Sequence, residues 1–259
     1  MPRRQYRSPP VHEVILDLRF DGEVDSDALT EARGELASQF DDVSKATIFQ
    51  LQTGMGSAGP TFQGGSEFVG WEFVQESPRW VLRAHSNQVT LHAVRSEKWP
   101  AGEYLGWERI HSRFSELLPM FEPAYRPLSL VRAGLRYINR VAIPVNSSLE
   151  EWFAVVPRGP ELVNGLIGFG FQTTWAQVEG FPGLAANLRL GKTQVPEGTV
   201  TGKSVGILLD VDVFNLKKTD APALVETKDW FHTAHAAENR LFEGCITDNL
   251  RERFDREAS

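Results

Sequence analysis

A chain of 259 residues that is 41% hydrophobic and 24% charged has an ordinary globular composition and is long enough to bury a core without disulfide or metal staples. Its net charge of −7 repels phosphate backbones over most of the surface, which argues against a dedicated nucleic-acid binder but leaves room for a local basic groove. A single cysteine, Cys245, excludes an intrachain disulfide and a zinc site built on paired thiolates, and fits a cytoplasmic protein.

The segment MPRRQYRSPP is basic but runs into no apolar stretch, so no signal peptide is expected, and no run approaches the length of a membrane span. Val11 to Phe20 alternates apolar and charged residues from Val14 onward, the period of a strand. Asp25 and Ser26 are candidate caps for a helix with the stripe Leu29, Ala32, Leu36 and Phe40, spaced for one helical face. A strand over Ala46–Leu51 precedes Gly54–Gly65, whose Gly, Ser and Pro content predicts a loop. Strands are expected at Phe68–Val74, Trp80–His85 and Gln88–Arg95, joined by turns at Ser77-Pro78 and Ser86-Asn87. The stripe Trp107, Ile110, Phe114, Leu117 and Phe121 predicts a helix over 103–121, stopped by Pro123 and Pro127.

The second half opens with a long strand, Leu128–Ile143, and a short helix over Leu149–Val155 capped by Ser148. Strands follow at Ile167–Val178, Leu184–Leu190 and Val205–Leu216, with a turn-rich loop at Gly191–Ser204. The last and longest helix is expected over Leu224–Phe254. Its apolar stripe slips in phase before Leu250 and Phe254, and Gly244 is the expected kink. Both halves thus read strand–helix–several strands–long helix. The fold class is α+β: two consecutive units, residues 1–125 and 126–259, forming curved antiparallel sheet packed on long helices. The order is analogous to TATA-binding-protein and helix-grip architectures, and the two units form one body.

The phosphate-loop-like run Gly198–Ser204 has one residue too few between its glycines, and Gly191-Lys192-Thr193 lacks the upstream glycine and the following helix. Gly168-Phe169-Gly170 lacks the third glycine of a dinucleotide fingerprint. His232 and His235 share a helix face with Asn239, but no third metal ligand is apparent. No G-x-S-x-G elbow occurs, and Cys245 lies on an apolar stripe, where it packs rather than reacts. No catalytic residue, metal site or cofactor is therefore assigned.

The most unusual stretch is Arg136-Tyr137-Ile138-Asn139-Arg140. On a strand, Arg136 and Arg140 face one way and Tyr137 and Asn139 the other. Two guanidinium groups on a central strand either pair with acids such as Glu13, Asp17 or Asp212, or bind an anion or a partner. Arg83, His85 and His92 on neighbouring strands join the patch if the sheet is continuous. The candidate ligand-binding set is Arg136, Tyr137, Asn139, Arg140, Arg83 and His92.

Pro9-Pro10-Val11-His12-Glu13-Val14, Arg136-Tyr137-Ile138-Asn139-Arg140, and His235 with Phe242-Glu243-Gly244-Cys245-Ile246-Thr247-Asp248, in that order and over nearly the whole chain, resemble an uncharacterised bacterial family described by its sporadic distribution among genomes. The resemblance implies a bacterial, cytoplasmic protein and carries no catalytic residue to transfer. Patchy distribution is the habit of mobile and defence-linked genes, so it implies a partner-binding role in a defence or toxin–antitoxin-like setting. Three functions stay open: a non-enzymatic binding or accessory protein, with a protein partner or a second copy; a small-molecule binder or enzyme taking an anionic ligand between sheet and long helix, lined by Trp71, Phe73, Trp80 and Trp175; and a nucleic-acid saddle.

Overall fold

Alternation along β1 (Val11–Asp21) decides which way the sheet faces. Val14, Leu16, Leu18 and Phe20 are at most 5% exposed, while Ile15, Asp17 and Arg19 point to the opposite side. The structure is a computed structural model that describes residues 6–56, 59–95, 104–156, 168–195 and 203–255.

Eight further strands extend the sheet on either side of β1. They are β2 (Asp42–Gly56), β3 (Gly59–Glu76), β4 (Arg79–His85), β5 (Gln88–Val94), β6 (Ser129–Pro144), β7 (Gly170–Trp175), β8 (Leu184–Thr193) and β9 (Ser204–Asn215). Their order is β2-β3-β4-β5-β1-β6-β9-β8-β7, and each neighbouring pair is antiparallel. The protein is α+β, and its described residues form one nine-stranded antiparallel sheet and four α-helices: α1 (Ser26–Leu36), α2 (Trp107–Tyr125), α3 (Thr227–Cys245) and α4 (Asp248–Asp255).

The helices cover one face. Leu82, Leu91, Leu135, Val211 and Leu188, from five different strands, are at most 1% exposed there. Helix α3 lies over β6 and β9. Helix α2 meets α3 through Phe114 and Phe231, whose rings stand edge to face at 5.0 Å. Full burial of such side chains stabilises by roughly 1.5–3 kcal/mol each, which outweighs local propensity where the two conflict.

Helix α2 shows that conflict. Pro123 does not stop it, and Pro119 lies inside it too. Each proline removes a backbone donor. The last turn is held instead by Phe121 and Tyr125, both fully buried. The Tyr125 hydroxyl donates to the His85 carbonyl at 2.5 Å, and its ring stacks on Phe20 at 4.7 Å. The expected helix start at 103 lies outside the described residues, and 104–106 are not helical.

Other expectations are corrected. Gly54–Gly65 is not a loop: β2 and β3 run through it as a hairpin, with Gln52 opposite Gln63 and Gly56 opposite Gly59. Composition misleads here because glycine costs a strand stability without forbidding extended backbone. Ser148 does form a capping box with Glu151, but the helix is a single turn, Leu149–Glu151; Phe153 instead bridges Ile246. Strand β7 is shorter than expected, and Gly191-Lys192-Thr193 lies within β8. The phosphate-loop-like run lies mostly outside the described residues. The last helix breaks at Ile246, two residues after Gly244, where the backbone turns extended (φ −114°, ψ 155°). The Thr247 hydroxyl there donates to the Glu151 carbonyl at 2.6 Å. The phase slip in the stripe marks this break.

Phe121→Ala is expected to lower the unfolding free energy by about 3–5 kcal/mol, measured by urea denaturation, because it empties the side chain that carries α2 past its prolines.

Candidate functional site: the open face of the sheet

Strand pairing lays the polar side chains out in rows. One row runs His92–Ile15–Arg136–Asp212–Asn187 across β5, β1, β6, β9 and β8. The adjacent row runs Arg83–Thr90–Asp17–Gly134–Phe214 across β4, β5, β1, β6 and β9. Both lie on the face opposite the helices. Cations and carboxylates on neighbouring strands are therefore brought within reach of one another.

Arg132 is the hub. Its Nη1 donates to Asp17, and its Nη2 donates to both carboxylate oxygens of Asp212 at 2.9 Å. Its guanidinium also lies 4.9 Å over the Phe214 ring. It ties together side chains of β1, β6 and β9. This reach depends on Gly134: a Cβ there would sit 2.8 Å from Arg132 Cζ, where the guanidinium now lies. Asp17 also accepts from Arg19 Nε at 3.0 Å and Gln88 Nε2 at 2.6 Å. Asp212 further accepts from Asn187 at 3.1 Å.

Two more arginines flank this hub. Arg136 makes a bidentate pair with buried Asp210, Nε at 2.8 Å and Nη2 at 2.6 Å, and that bond raises its already high pKa. Arg83 Nε donates to Glu72 at 2.6 Å. Its Nη1 lies 3.3 Å from His92 Nε2. His92 Nδ1 is 2.7 Å from Glu13, and Nε2 is 3.0 Å from the Thr90 hydroxyl. Burial pushes the Glu13 carboxyl up, but the His92 hydrogen bond and nearby positive charge outweigh it and hold the pKa below the usual range. An acid–imidazole–hydroxyl line superficially suits nucleophile activation. Here Arg83 shares the same imidazole nitrogen with Thr90, so three contacts fix the ring.

Arg83, His85, His92 and Arg136 line one recess of about 280 Å³ together with Arg19 and Arg132. Tyr137 and Asn139 lie elsewhere. They project from the helix face, where Asn139 donates to the Leu209 carbonyl at 3.2 Å and the Tyr137 hydroxyl meets His235 Nδ1 at 3.0 Å. Arg140 shares the open face by strand alternation but does not line the recess, and its Nε is buried without a partner. The expected partners of Arg136 are corrected: Asp210 holds it, while Asp17 and Asp212 serve Arg132. Sequence reasoning missed Arg132 as a site residue. Its signal was the same two-residue phase as Arg136 and Arg140.

The aromatic lining expected between sheet and helix is not assembled: two of its four members are core, one is partly buried and one is exposed. Phe73 and Trp80 are at most 2% exposed, and Trp71 packs against the core beneath the Arg33 guanidinium; Trp175 is exposed on β7. His235 is buried, stacked on Trp107 with ring centroids 4.3 Å apart. Exposed His232 accepts from Trp107 Nε1 at 3.2 Å. Among the described residues no group of three or more His, Cys, Asp or Glu is placed to hold a metal ion.

One buried acid stands apart. Glu238 on α3 is 2% exposed, and burial, with the Glu243 charge, pushes its carboxyl up to about 8. Burial and Glu238 likewise push the Cys245 thiol up to about 12, so this thiol is protonated at neutral pH.

Arg132→Met should lower the unfolding free energy by about 3–5 kcal/mol, measured by urea denaturation, because Asp17 and Asp212 lose the cation between them. Folded Glu238 keeps a proton that the unfolded chain releases above about pH 4.5, so stability should fall as pH rises from there to about 8 and then level off. Glu238→Gln should flatten that slope, worth about 1.4 kcal/mol per pH unit, in denaturation midpoints followed against pH. No known protein-family model matches the chain, and no curated protein matches it.

Proposed function

We propose that this protein is a non-enzymatic binding protein that engages a protein partner through the open face of its sheet, in a bacterial defence or toxin–antitoxin-like setting. The observation that carries the reading is the tethered ionic lattice on that face. Arg19, Arg83 and Arg136 are 54%, 42% and 37% exposed, yet each is held by a carboxylate. Fixing long side chains before contact removes much of the entropy cost of ordering them on binding. Alternating charge of both signs suits a partner of complementary pattern, and suits a nucleic-acid backbone poorly. No helix among the described residues is long and apolar enough to cross a membrane.

The proposal extends to the bacterial family that the chain resembles and to a tandem, saddle-like arrangement of two units. Two features support these. The three motifs of the resemblance lie close together: the Pro10 carbonyl accepts from the Arg140 amide at 3.0 Å, and the Tyr137 hydroxyl meets His235 Nδ1 at 3.0 Å. Strands β1 and β6, which open the two halves, pair at the middle of the sheet.

The test uses the tagged full chain as bait in a bacterial host, beside an Arg136→Glu variant shown by circular dichroism to be folded. A partner retained stoichiometrically by the wild type and lost with the variant is expected. Retention by both, or no partner together with turnover of a metabolite by the wild type, would count against the proposal.

A further inference from the structure

The recess at the centre of the open face has a donor surplus. Its carboxylates are already engaged: Asp17 accepts from Arg19, Gln88 and Arg132, and Asp212 from Arg132 and Asn187. An ionised carboxylate offers about four acceptor positions and a guanidinium five donors. The arginines keep N–H groups that the acids do not use. Among the described residues Arg136 Nη1 and Arg83 Nη2 have no hydrogen-bond partner, and Arg19 engages Asp17 through Nε alone. The lining holds four arginines against two aspartates, in a chain whose net charge is −7.

A second observation lies in the same wall. His85 Nε2 is buried and, among the described residues, has no hydrogen-bond partner, and the ring lines the recess. Burial, and then the Arg83 charge, hold its pKa below the ordinary value. A neutral imidazole can place its proton on Nε2 when an acceptor arrives. The group left unsatisfied is thus a potential donor beside other unused donors.

We propose that this recess binds a small molecule bearing an oxyanion, a carboxylate or a phosphate, through Arg83, Arg136 and His85. The proposal rests on the open face being a binding surface, and names a ligand for its centre. A volume of about 280 Å³ lies at the low end for ligand sites, so the ligand is compact. Arg132 is a positioning residue: with both aspartates engaged by it, neither repels the incoming anion at full strength.

Isothermal titration calorimetry on the full chain at low salt tests this with inorganic phosphate, succinate and uncharged succinamide. Saturable binding of phosphate or succinate but not succinamide is expected, and the better ligand tells a phosphate-bearing from a carboxylate-bearing class. Arg136→Gln and Arg83→Gln should each weaken it by about tenfold or more. Arg126→Gln, at the exposed residue that follows α2, should leave it unchanged. Absence of saturation with either anion up to about 10 mM, or equal weakening by Arg126→Gln, overturns the proposal. If the anions fail while Arg136→Glu still loses a protein partner, only the recess inference falls. If they bind while that partner is retained, only the protein-partner reading falls.

Discussion

The contact on which the open face depends is the Arg132 fork between Asp17 and Asp212. That contact ties three adjacent strands, β1, β6 and β9, on the side away from the helices. Its three side chains are 10–20% exposed, dry enough for the attraction to be weakly screened and for any missing partner to be costly. It also needs a glycine. Residue 134 has no side chain because a guanidinium occupies the space one would fill. A packing constraint and an electrostatic one therefore meet at the same place.

From this hub the rest of the face acquires its order. Arg19 and Gln88 share Asp17 with Arg132, and Asn187 shares Asp212. Arg136 sits on its own acid, Asp210, and Arg83 on Glu72. Each cation is anchored through part of its fork, so it presents the remainder in a fixed direction. Such a surface is preorganised for recognition, and recognition by charge pattern is selective more than it is tight. His92 is pinned by Glu13, Thr90 and Arg83 at once.

The opposite face follows different rules. Its strands contribute aliphatic side chains almost throughout, and α2 and α3 close over them. Polar groups admitted there are held in place: Tyr137 to His235, Asn139 to a strand carbonyl, Tyr125 to the His85 carbonyl. Glu238 is the exception. Its burial costs stability as an ion, so it stays protonated near neutral pH. The same burial that makes α3 a good lid makes this acid a pH-dependent weakness.

The amino-acid sequence by itself determined what depends on neighbours a few residues apart. The alternation Val14, Leu16, Leu18 set the buried side of β1, the Asp25 side chain capped α1, and the phase slip before Leu250 marked the break between α3 and α4. It also showed that Tyr137 and Asn139 face away from Arg136, since successive strand residues alternate. Only the tertiary structure decided the rest. Extended pairing across Gly54–Gly65 comes from the partner strand, α2 continues past Pro123 because Phe121 and Tyr125 are buried, and two of the aromatics reckoned as pocket lining were needed as core. Which acid meets which arginine depends on register between strands tens of residues apart and on diagonal reach across it: Asp212 lies directly opposite Arg136, yet the guanidinium pairs with Asp210. Local sequence carries no record of that register, because it is set by how both strands bury their apolar faces together.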